Sequence, residues 1–378
     1  MQRFEFATAH RIIFGPGTVR EVPAAAAAMG KRALLVTGAS GERAEPLRKS
    51  LEAAGVSCEP VRISGEPTIA TIQSAPRDAD MVIAMGGGSA LDAGKAIAAM
   101  IANPGDVLDY LEVVGQGRPL PNPAAPCIAI PTTAGTGSEV TRNAVLGNPE
   151  HRVKASLRSA GMLPRLAVVD PELTLGLPRP ITASTGLDAL TQLIEAHISV
   201  KANPVTDQLC PTGIDHAIRA LPRAWANADD HEARAEMAYA SMLGGMALAN
   251  AGLGAVHGFA APIGGMFSAP HGAICAAILA HAMAVNLRAV RERAPEKLKK
   301  FQGIAMLITW KPMATPEDGV ALLAELVRRL EIPPLRTYGV TPGDLDELVE
   351  KASRASSMKG NVVELTRGEL KEVIRAAL

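Results

Sequence analysis

A run of three glycines follows a short apolar segment in residues 81–96 (MVIAMGGGSALDAGKA). Residues 81–85 are apolar without alternation, which is typical of a strand covered on both faces of a parallel sheet. Successive glycines let backbone N–H groups approach an anion, and the N-terminus of the following helix adds positive potential. A phosphate-binding loop is therefore predicted between a strand and a helix, and it consists of Gly86, Gly87, Gly88 and Ser89. The alternative is a tight strand-to-helix turn without a ligand.

Short apolar runs of the same kind recur through the first half of the chain, at residues 32–37, 81–85, 127–131 and 166–170. Helical patterns occupy intervening segments such as 41–54 and 90–102. Strands that alternate with helices in this way are typical of a doubly wound parallel sheet. We therefore predict an α/β N-terminal domain with a doubly wound parallel sheet over residues 1–178.

The pattern changes after about residue 180. Apolar residues then recur at helical spacing, in residues 185–199, 206–226, 231–251 and 315–330. Such spacing is typical of amphipathic helices, and no segment of this half resembles the strands of the first. With a boundary in the proline-rich segment 175–182, the sequence predicts an all-α C-terminal domain over residues 179–378.

Composition and charge exclude several classes of partner. The 378 residues include 38 Lys and Arg against 38 Asp and Glu, so the chain has no electrostatic footprint for nucleic acid or an anionic membrane. Its four cysteines form no CxxC pair, which favours reduced thiols in a reducing compartment. The first residues lack a signal-peptide pattern, and charges, Gly or Pro interrupt each apolar stretch before the roughly 20 residues of a membrane span. We expect a cytoplasmic protein with no nucleic-acid or membrane partner.

A second loop, PTTAGTGSEVT at residues 131–141, also follows a predicted strand. Its two glycines and its hydroxyl groups form a dense surface of hydrogen-bond donors. Ligands of open α/β sheets bind beyond the carboxyl ends of the strands, which is where this loop is expected. The candidate cofactor-binding residues are Thr132, Thr133, Thr136 and Ser138. The alternative is a solvated loop.

The two motifs together, GGGS-x-x-D-x-x-K and PTTAGTGSEVT about 40 residues later, resemble those of the iron-containing (group III) alcohol dehydrogenases. The likeness continues through FGPG, DPELT, TGLDALTQLIEAH, ANPVTD, GAVHGFAAPIGG and APHG, in this order. The resemblance implies an oxidoreductase that transfers a hydride between NAD(P) and a small alcohol or aldehyde, or a hydroxy or keto acid. It also implies that residues 1–178 form a dinucleotide-binding domain and residues 179–378 a metal and substrate domain, with the active site in the interdomain cleft. Cofactor contacts from Asp92 and Lys154 and a homodimer are implied as well. The related dehydroquinate synthases and glycerol dehydrogenases share the architecture, but the TTAGTGSEVT wording favours the alcohol dehydrogenase branch.

The resemblance further implies a divalent metal, Fe²⁺ or Zn²⁺, with four ligands. The family places an Asp and a His four residues apart on one helix, then a His before Gly and a His in PHG; Asp188, His257 and His271 match three of these positions. Gln192 stands at the second position and shares a helix face with Asp188. Its neutral amide oxygen is a weaker donor that suits harder cations. At about 100° per residue His197 lies on the opposite face from Asp188, so we expect it to be packed or solvated.

Ala261 is, after Gln192, the second residue that departs from the family pattern, because many family members carry a His there that is assigned to proton relay. Three interpretations remain open: a weakened metal site, a metal-independent enzyme like the maleylacetate reductases, or a cofactor-binding paralogue without turnover. In the metal-independent case His257 or His271 is the candidate catalytic general acid, because imidazole titrates near neutral pH. The alternative for both residues is a structural histidine.

The choice between NAD and NADP depends on the end of the first predicted strand. NAD-preferring family members carry an Asp there, and this chain has Gly38. Without that carboxylate, Gly38 and Ser40, together with Gly41 and Arg43, would suit the 2′-phosphate of NADP, since Arg binds phosphate strongly. An ordinary loop with an exposed Arg is the alternative. The identity of the substrate does not follow from the sequence.

Overall fold

The computed structural model describes residues 3–378, which divide into two compact units. One unit comprises residues 8–175, and the other joins residues 3–7 to residues 176–378. The sequence placed residues 3–7 in the first domain. They belong with the helical unit because Ala7 N donates to Oδ1 of Asn250 at 2.7 Å and Nδ2 of Asn250 donates to Ala7 O at 2.8 Å.

Within the described residues the strands are β1 Ile12–Phe14, β2 Arg32–Gly38, β3 Ser57–Ile63, β4 Met81–Gly86, β5 Cys127–Pro131, β6 Asn143–Asn148, β7 Val153–Arg158 and β8 Leu166–Val169. Six of them form a parallel sheet in the order β1-β8-β5-β4-β2-β3. Alternate residues of β2 pack into different clusters, Leu34 and Val36 on one face and Ala33 and Leu35 on the other. Both faces are thus buried, which explains the unalternated apolar runs. The predicted α/β fold class is confirmed.

The helices of this unit are α1 Val22–Ala27, α2 Glu45–Ala53, α3 Ile69–Gln73 and α4 Gly88–Ala102. The sequence did not predict strand β1, strand β3 or the pair β6 and β7. Strand β3 is mostly exposed and contains Pro60, as an edge strand allows, so its pattern carries little hydrophobic signal. Strands β6 and β7 form an antiparallel hairpin, and its Ala144 and Leu146 pack in the same cluster as residues of α4.

The second unit is mostly helical, as the sequence predicts. Over the described residues its α-helices are α5 Arg179–Ile198, α6 Thr206–Ala226, α7 His231–Ala251, α8 Ala255–Met266, α9 His271–Arg293, α10 Leu298–Thr309, α11 Pro316–Arg329, α12 Leu345–Arg354 and α13 Arg367–Ala377. Helix α5 packs against α6, α7 and α9. Helix α9 is long and apolar enough to cross a membrane by length and composition, but 83% of the relevant window is buried, which is typical of a core helix.

Candidate functional site

The glycine loop connects β4 to α4 with no space for side chains. Gly86 is the last residue of β4, and Gly87 precedes the first helical residue, Gly88. A Cβ on Gly88 would lie 2.7 Å from Cγ2 of Thr136, and a Cβ on Gly86 would lie 2.6 Å from Cβ of Ala90. The N-cap residue of α4 is Gly87, so no side chain of the capping residue accepts a hydrogen bond from the first N–H groups of the helix. The loop therefore presents backbone N–H groups at a helix N-terminus, as a diphosphate requires.

The structure brings the two predicted loops together at the carboxyl ends of adjacent strands, β4 and β5. Thr132 N donates to Gly86 O at 2.9 Å. A Cβ on Gly87 would lie 3.5 Å from Oγ1 of Thr133. Because Thr136 also lies against Gly88, the threonine loop forms one wall of the glycine loop.

Two residues that the sequence assigns to cofactor binding make contacts that fasten the loops to each other. Ser138 Oγ donates to Oδ1 of Asp92 at 2.5 Å, and Val145 N donates to Oδ2 of Asp92 at 2.9 Å. Lys95, which is 1% exposed, donates from Nζ to Ser138 O and to Oγ1 of Thr141, both at 2.9 Å. Its ammonium group also lies 3.1 Å from Oδ1 of Asp92. Sequence reasoning did not assign a role to Lys95, although it is the last residue of the GGGS-x-x-D-x-x-K motif.

The threonine loop also buries a carboxyl group, that of Glu139, which is 2% exposed. Burial raises the pKa of Glu139 to about 7, although its own backbone N–H and the charge of Lys95 act in the opposite direction. A neutral carboxyl is therefore favoured in the folded chain over most of the acidic range.

The loop after β2 contains the predicted residues Gly38 and Ser40. Gly38 N lies 3.6 Å from the position of a Cβ on Gly86, so the two loops are adjacent. Arg43 donates from Nη1 to the carbonyl of Leu173 at 3.3 Å. Arg62 of β3 lies closer to the loop, with Nε 3.4 Å from the position of a Cβ on Gly41.

A cavity of about 100 Å³ opens beside this loop. Its lining includes Thr37, Gly41, Arg48 and Arg62.

Lys154 lies on β7, and its Nζ is 2.6 Å from Oε1 of Glu66. The contact of Lys154 is thus with an acidic side chain of the same unit.

In the helical unit, three of the predicted metal ligands converge from three helices. Asp188 lies on α5, His257 is the third residue of α8 and His271 is the first residue of α9. Oδ1 of Asp188 lies 3.3 Å from Nε2 of His257 and 3.7 Å from Nε2 of His271. A Cβ on Gly272 would lie 2.5 Å from the carbonyl oxygen of Ser184, so only glycine lets α9 approach α5 this closely.

Glu195, also on α5, orients the imidazole of His257. Nδ1 of His257 lies 2.7 Å from Oε2 of Glu195, and Val256 N donates to Oε1 of Glu195 at 2.7 Å. When Glu195 is ionised, Nδ1 carries the proton, and Nε2 presents its lone pair to Asp188. Sequence reasoning missed Glu195, although Asp188, Gln192 and Glu195 follow the i, i+4, i+7 spacing of one helix face.

Asp188 Oδ1 is buried and accepts no aligned hydrogen bond within residues 3–378. Nε2 of His257 lies 3.3 Å from Asp188 Oδ1, which is within ion-pair distance. If Nε2 carries no proton, however, its lone pair and the carboxylate oxygen are two acceptors that face each other. Burial disfavours both charges, yet His271 and His257 hold the pKa of Asp188 below its ordinary value. Burial likewise opposes the imidazolium of His257, but Cys275, Asp188 and Glu195 outweigh it and raise the pKa well above the usual range. The cluster thus attracts positive charge, as a proton or as a metal ion.

A fourth side chain, Cys275, joins this cluster and was not predicted. The ligand atoms of Asp188, His257, His271 and Cys275 all lie within 4.8 Å of one another. Carboxylate oxygen, imidazole nitrogen and thiol sulfur are all ligands of Zn²⁺, so the residues present fit a divalent metal. The helical position of Cys275, four residues after His271, was the only signal in the sequence.

The remaining predicted and rejected positions lie around this cluster. Gln192 is buried, and its Oε1 lies 3.6 Å from the position of a Cβ on Gly244 of α7. The contact of His197 is with a residue outside the cluster: its Nδ1 lies 3.7 Å from Oδ1 of Asp207. Burial, assisted by Lys300, lowers the pKa of His197 to about 4.

Comparison with known proteins covers both units. The family model described as iron-containing alcohol dehydrogenase matches residues 9–171, and the model for the C-terminal domain of the same family matches residues 182–378. Alcohol dehydrogenase 4 of Saccharomyces cerevisiae (strain YJM789) is 36% identical over 361 residues, which cover 92% of this chain and 91% of that protein. The 1,3-propanediol dehydrogenase of Klebsiella pneumoniae is 35% identical over 394 residues, covering 99% and 98%. A solved structure of 1,3-propanediol oxidoreductase matches with a TM-score of 0.91 at 33% identity and covers 100% of both chains.

Proposed function

The chain belongs to the iron-containing alcohol dehydrogenase family, and from this premise we propose that Asp188, His257 and His271 hold a divalent metal at which the substrate oxygen of a small alcohol or aldehyde binds. The enzyme is an oxidoreductase of the alcohol dehydrogenase type, in a family that uses NAD(P) and a metal. The observation that carries the proposal is the convergence of one buried carboxylate oxygen and two imidazole nitrogens within 4.8 Å.

Each ligand has a separate contribution to the site. Glu195 fixes the ring of His257, which keeps Nε2 available as a donor atom. The side chain of His271 is 35% exposed, whereas those of His257 and Asp188 are 6% and 2% exposed. A substrate oxygen therefore reaches the cluster from the side of His271. When bound, the metal supplies Lewis acidity toward that oxygen, which stabilises the alkoxide character developed during hydride transfer.

The dinucleotide is proposed to bind through the glycine and threonine loops of the α/β unit. The N–H groups of the loop formed by Gly86, Gly87, Gly88 and Ser89 lie at the N-terminus of α4, where they would donate to the diphosphate, and the hydroxyls of Thr132 and Thr133 would extend that surface. Asp92, Ser138 and Lys95 act as positioning residues, because their hydrogen bonds hold the threonine loop against α4. Lys154 remains a prediction as a ribose contact.

We further propose that the enzyme accepts NADP. Gly38 leaves the end of β2 without the carboxylate that would repel a 2′-phosphate, and the cavity beside it is lined by Arg48 and Arg62 together with Glu45. Arg62, beside Gly41, replaces Arg43 as the candidate phosphate partner, because Arg43 donates to the carbonyl of Leu173. A guanidinium forms charge-assisted bonds to phosphate.

The metal-independent alternative uses the same cluster differently. Without a metal, the raised pKa of His257 makes the imidazolium the partner of Asp188 and a candidate general acid. The third alternative, a cofactor-binding protein without turnover, predicts dinucleotide binding alone. These alternatives differ in their response to chelation and in turnover.

The test follows NADPH and NADH absorbance with a panel of short aldehydes and keto acids, before and after chelation and after reloading with Fe²⁺, Zn²⁺ or Mn²⁺. We expect reduction of at least one aldehyde, its loss on chelation and its recovery on reloading. Cofactor binding without reduction of any substrate would contradict the proposed dehydrogenase activity. Activity that survives chelation and gains nothing from metals would support the metal-independent mechanism. A homodimer and a cytoplasmic location remain predictions, the first of which light scattering of the purified chain tests.

A further inference from the structure

We propose that Cys275 is the fourth metal ligand, as a thiolate, and that it makes this site an Asp–His–His–Cys centre that favours Zn²⁺ over Fe²⁺. This inference rests on the proposed metal site at Asp188, His257 and His271. It concerns a residue type that the expected four-ligand set does not contain.

The sulfur lies where a ligand of a tetrahedral metal would be. Sγ of Cys275 is 3.7 Å from Nε2 of His257 and 3.7 Å from Nε2 of His271, while Oδ1 of Asp188 is 3.3 Å and 3.7 Å from the same two nitrogens. Tetrahedral Zn²⁺ with bonds of about 2.0–2.3 Å spaces its ligand atoms about 3.3–3.6 Å apart. Octahedral ligands at about 2.1 Å would be about 3.0 Å apart. The four observed distances, 3.3–3.7 Å, lie closer to the tetrahedral spacing than to the octahedral one.

The local structure of α9 directs the thiol into the cluster. Cys275 follows His271 by four residues, so both side chains share the face of α9 that approaches α5. Gly272 allows this approach, because a Cβ there would lie 2.5 Å from the carbonyl oxygen of Ser184 and 3.4 Å from Cβ of Asp188. The thiol is 0% exposed and equidistant from two imidazole nitrogens, only one of which a single S–H could bond.

Charge balance supports the same set. A thiolate at Cys275 and a carboxylate at Asp188 together carry two negative charges, which a divalent cation neutralises inside a buried site. Thiolate is a soft ligand that selects Zn²⁺ over harder divalent metals. Gln192 offers only a neutral amide oxygen, which lies against Gly244 of α7. The thiolate therefore supplies the donor strength that the position of Gln192 lacks.

The site is best tested with Co²⁺ as a spectroscopic probe in the full-length chain. After chelation and reloading with Co²⁺, we expect intense visible bands of a tetrahedral centre and a near-ultraviolet charge-transfer band from thiolate to cobalt. Cys275→Ser should lose the charge-transfer band. Cys210→Ser is the matched control, because Cys210 is also 0% exposed and lies in a different cluster with Ala196 and Ala247. The control should keep every band.

Metal affinity gives an independent readout. Cys275→Ser should weaken Zn²⁺ binding by at least roughly 10-fold, the lower end of what loss of an outer-shell partner costs, and should narrow the preference for Zn²⁺ over Fe²⁺. If the unsubstituted chain binds Co²⁺ without a charge-transfer band, Cys275 is not a ligand, even though the proposed metal site stands. If the chain binds no Co²⁺, the proposed metal site itself is wrong. The spectrum of the unsubstituted chain decides the proposal even if Cys275→Ser does not fold.

Discussion

The glycine loop of the α/β unit and the metal cluster of the helical unit are built in different ways. The loop uses backbone N–H groups, and the residues that shape it are consecutive or nearly so, as with Gly86, Gly87 and Gly88. The cluster uses side chains from α5, α8 and α9, and its candidate ligands Asp188 and His271 are far apart in the chain. A side chain added to a glycine of the loop therefore collides with neighbouring atoms, whereas a ligand side chain lost from the cluster can be replaced by a side chain from another helix.

This difference explains why the departure at Gln192 does not by itself abolish the cluster. Any residue that projects from α5, α8 or α9 toward the same point is able to supply a ligand atom, and Cys275 does so in geometry. No equivalent freedom exists at Gly88, where Cγ2 of Thr136 lies 2.7 Å from the position of a Cβ. Backbone sites are therefore constrained by residue identity, and side-chain sites by position in space.

The largest effect is expected from Asp188→Asn, which keeps the shape of the side chain and removes its charge. Loss of metal Lewis acidity is worth several kcal/mol, so we expect kcat/KM to fall by roughly 1000-fold. Metal content, measured by elemental analysis, should fall in parallel. The dissociation constant for NADPH should stay unchanged, because the dinucleotide loops belong to the other unit. A variant with full metal content and full activity would show that the carboxylate is not a ligand.

The second prediction concerns the buried carboxyl group of Glu139 in the threonine loop. The pKa of Glu139 is raised by burial to about 7, so its neutral form stabilises the fold fully below the unfolded pKa of about 4.5. That stability is lost as the pH rises from about 4.5 through about 7, and the loss amounts to about 3 kcal/mol. Glu139→Gln should remove this contribution to the pH dependence of unfolding free energy, measured by urea titration. Equal slopes for the two proteins would contradict the neutral carboxyl.

The third prediction tests the rigidity of the loop. In Gly88→Ala the new methyl group meets Thr136, and such overpacking costs about 1–3 kcal/mol, so NADPH affinity should fall roughly 30-fold. Metal content should not change. Gly303→Ala is the matched control, since nothing lies within 4 Å of a Cβ there. Equal NADPH affinities of the two variants in fluorescence titrations would show that the loop accommodates the added methyl group without weakening NADPH binding.

The smallest effect is expected at Arg62, where a side chain rather than the backbone is proposed to contact the dinucleotide. Arg62→Ala should weaken NADPH binding roughly 10-fold, since a hydrogen bond to a charged group contributes about 1.5–3 kcal/mol. NADH binding should not change, because NADH lacks the 2′-phosphate. Arg43→Ala serves as the comparison and should leave both affinities unchanged. An effect at Arg43 but not at Arg62 would restore the assignment made from sequence.

The fold and part of the cluster were predictable because their signals are local. Short unalternated apolar runs predict buried parallel strands, and four of these strands occur at the expected places. The hairpin β6–β7 was missed because its strands are half-buried and carry weak apolar patterns. Asp188, His257 and His271 entered through the family motifs, whereas helical spacing was the only sequence signal that could join Cys275 or Glu195 to them.

The sequence by itself determined the glycine loop, the sheet and the helical second unit. Each depends on the backbone conformation and burial of neighbouring residues, which their identities largely dictate. Only the tertiary structure decided which separate side chains lie together: Cys275 beside His257, Glu195 behind it, and Arg62 beside Gly41. These contacts depend on how α9 approaches α5 and how β3 lies beside β2, and distances between separate elements have no local signature in the chain.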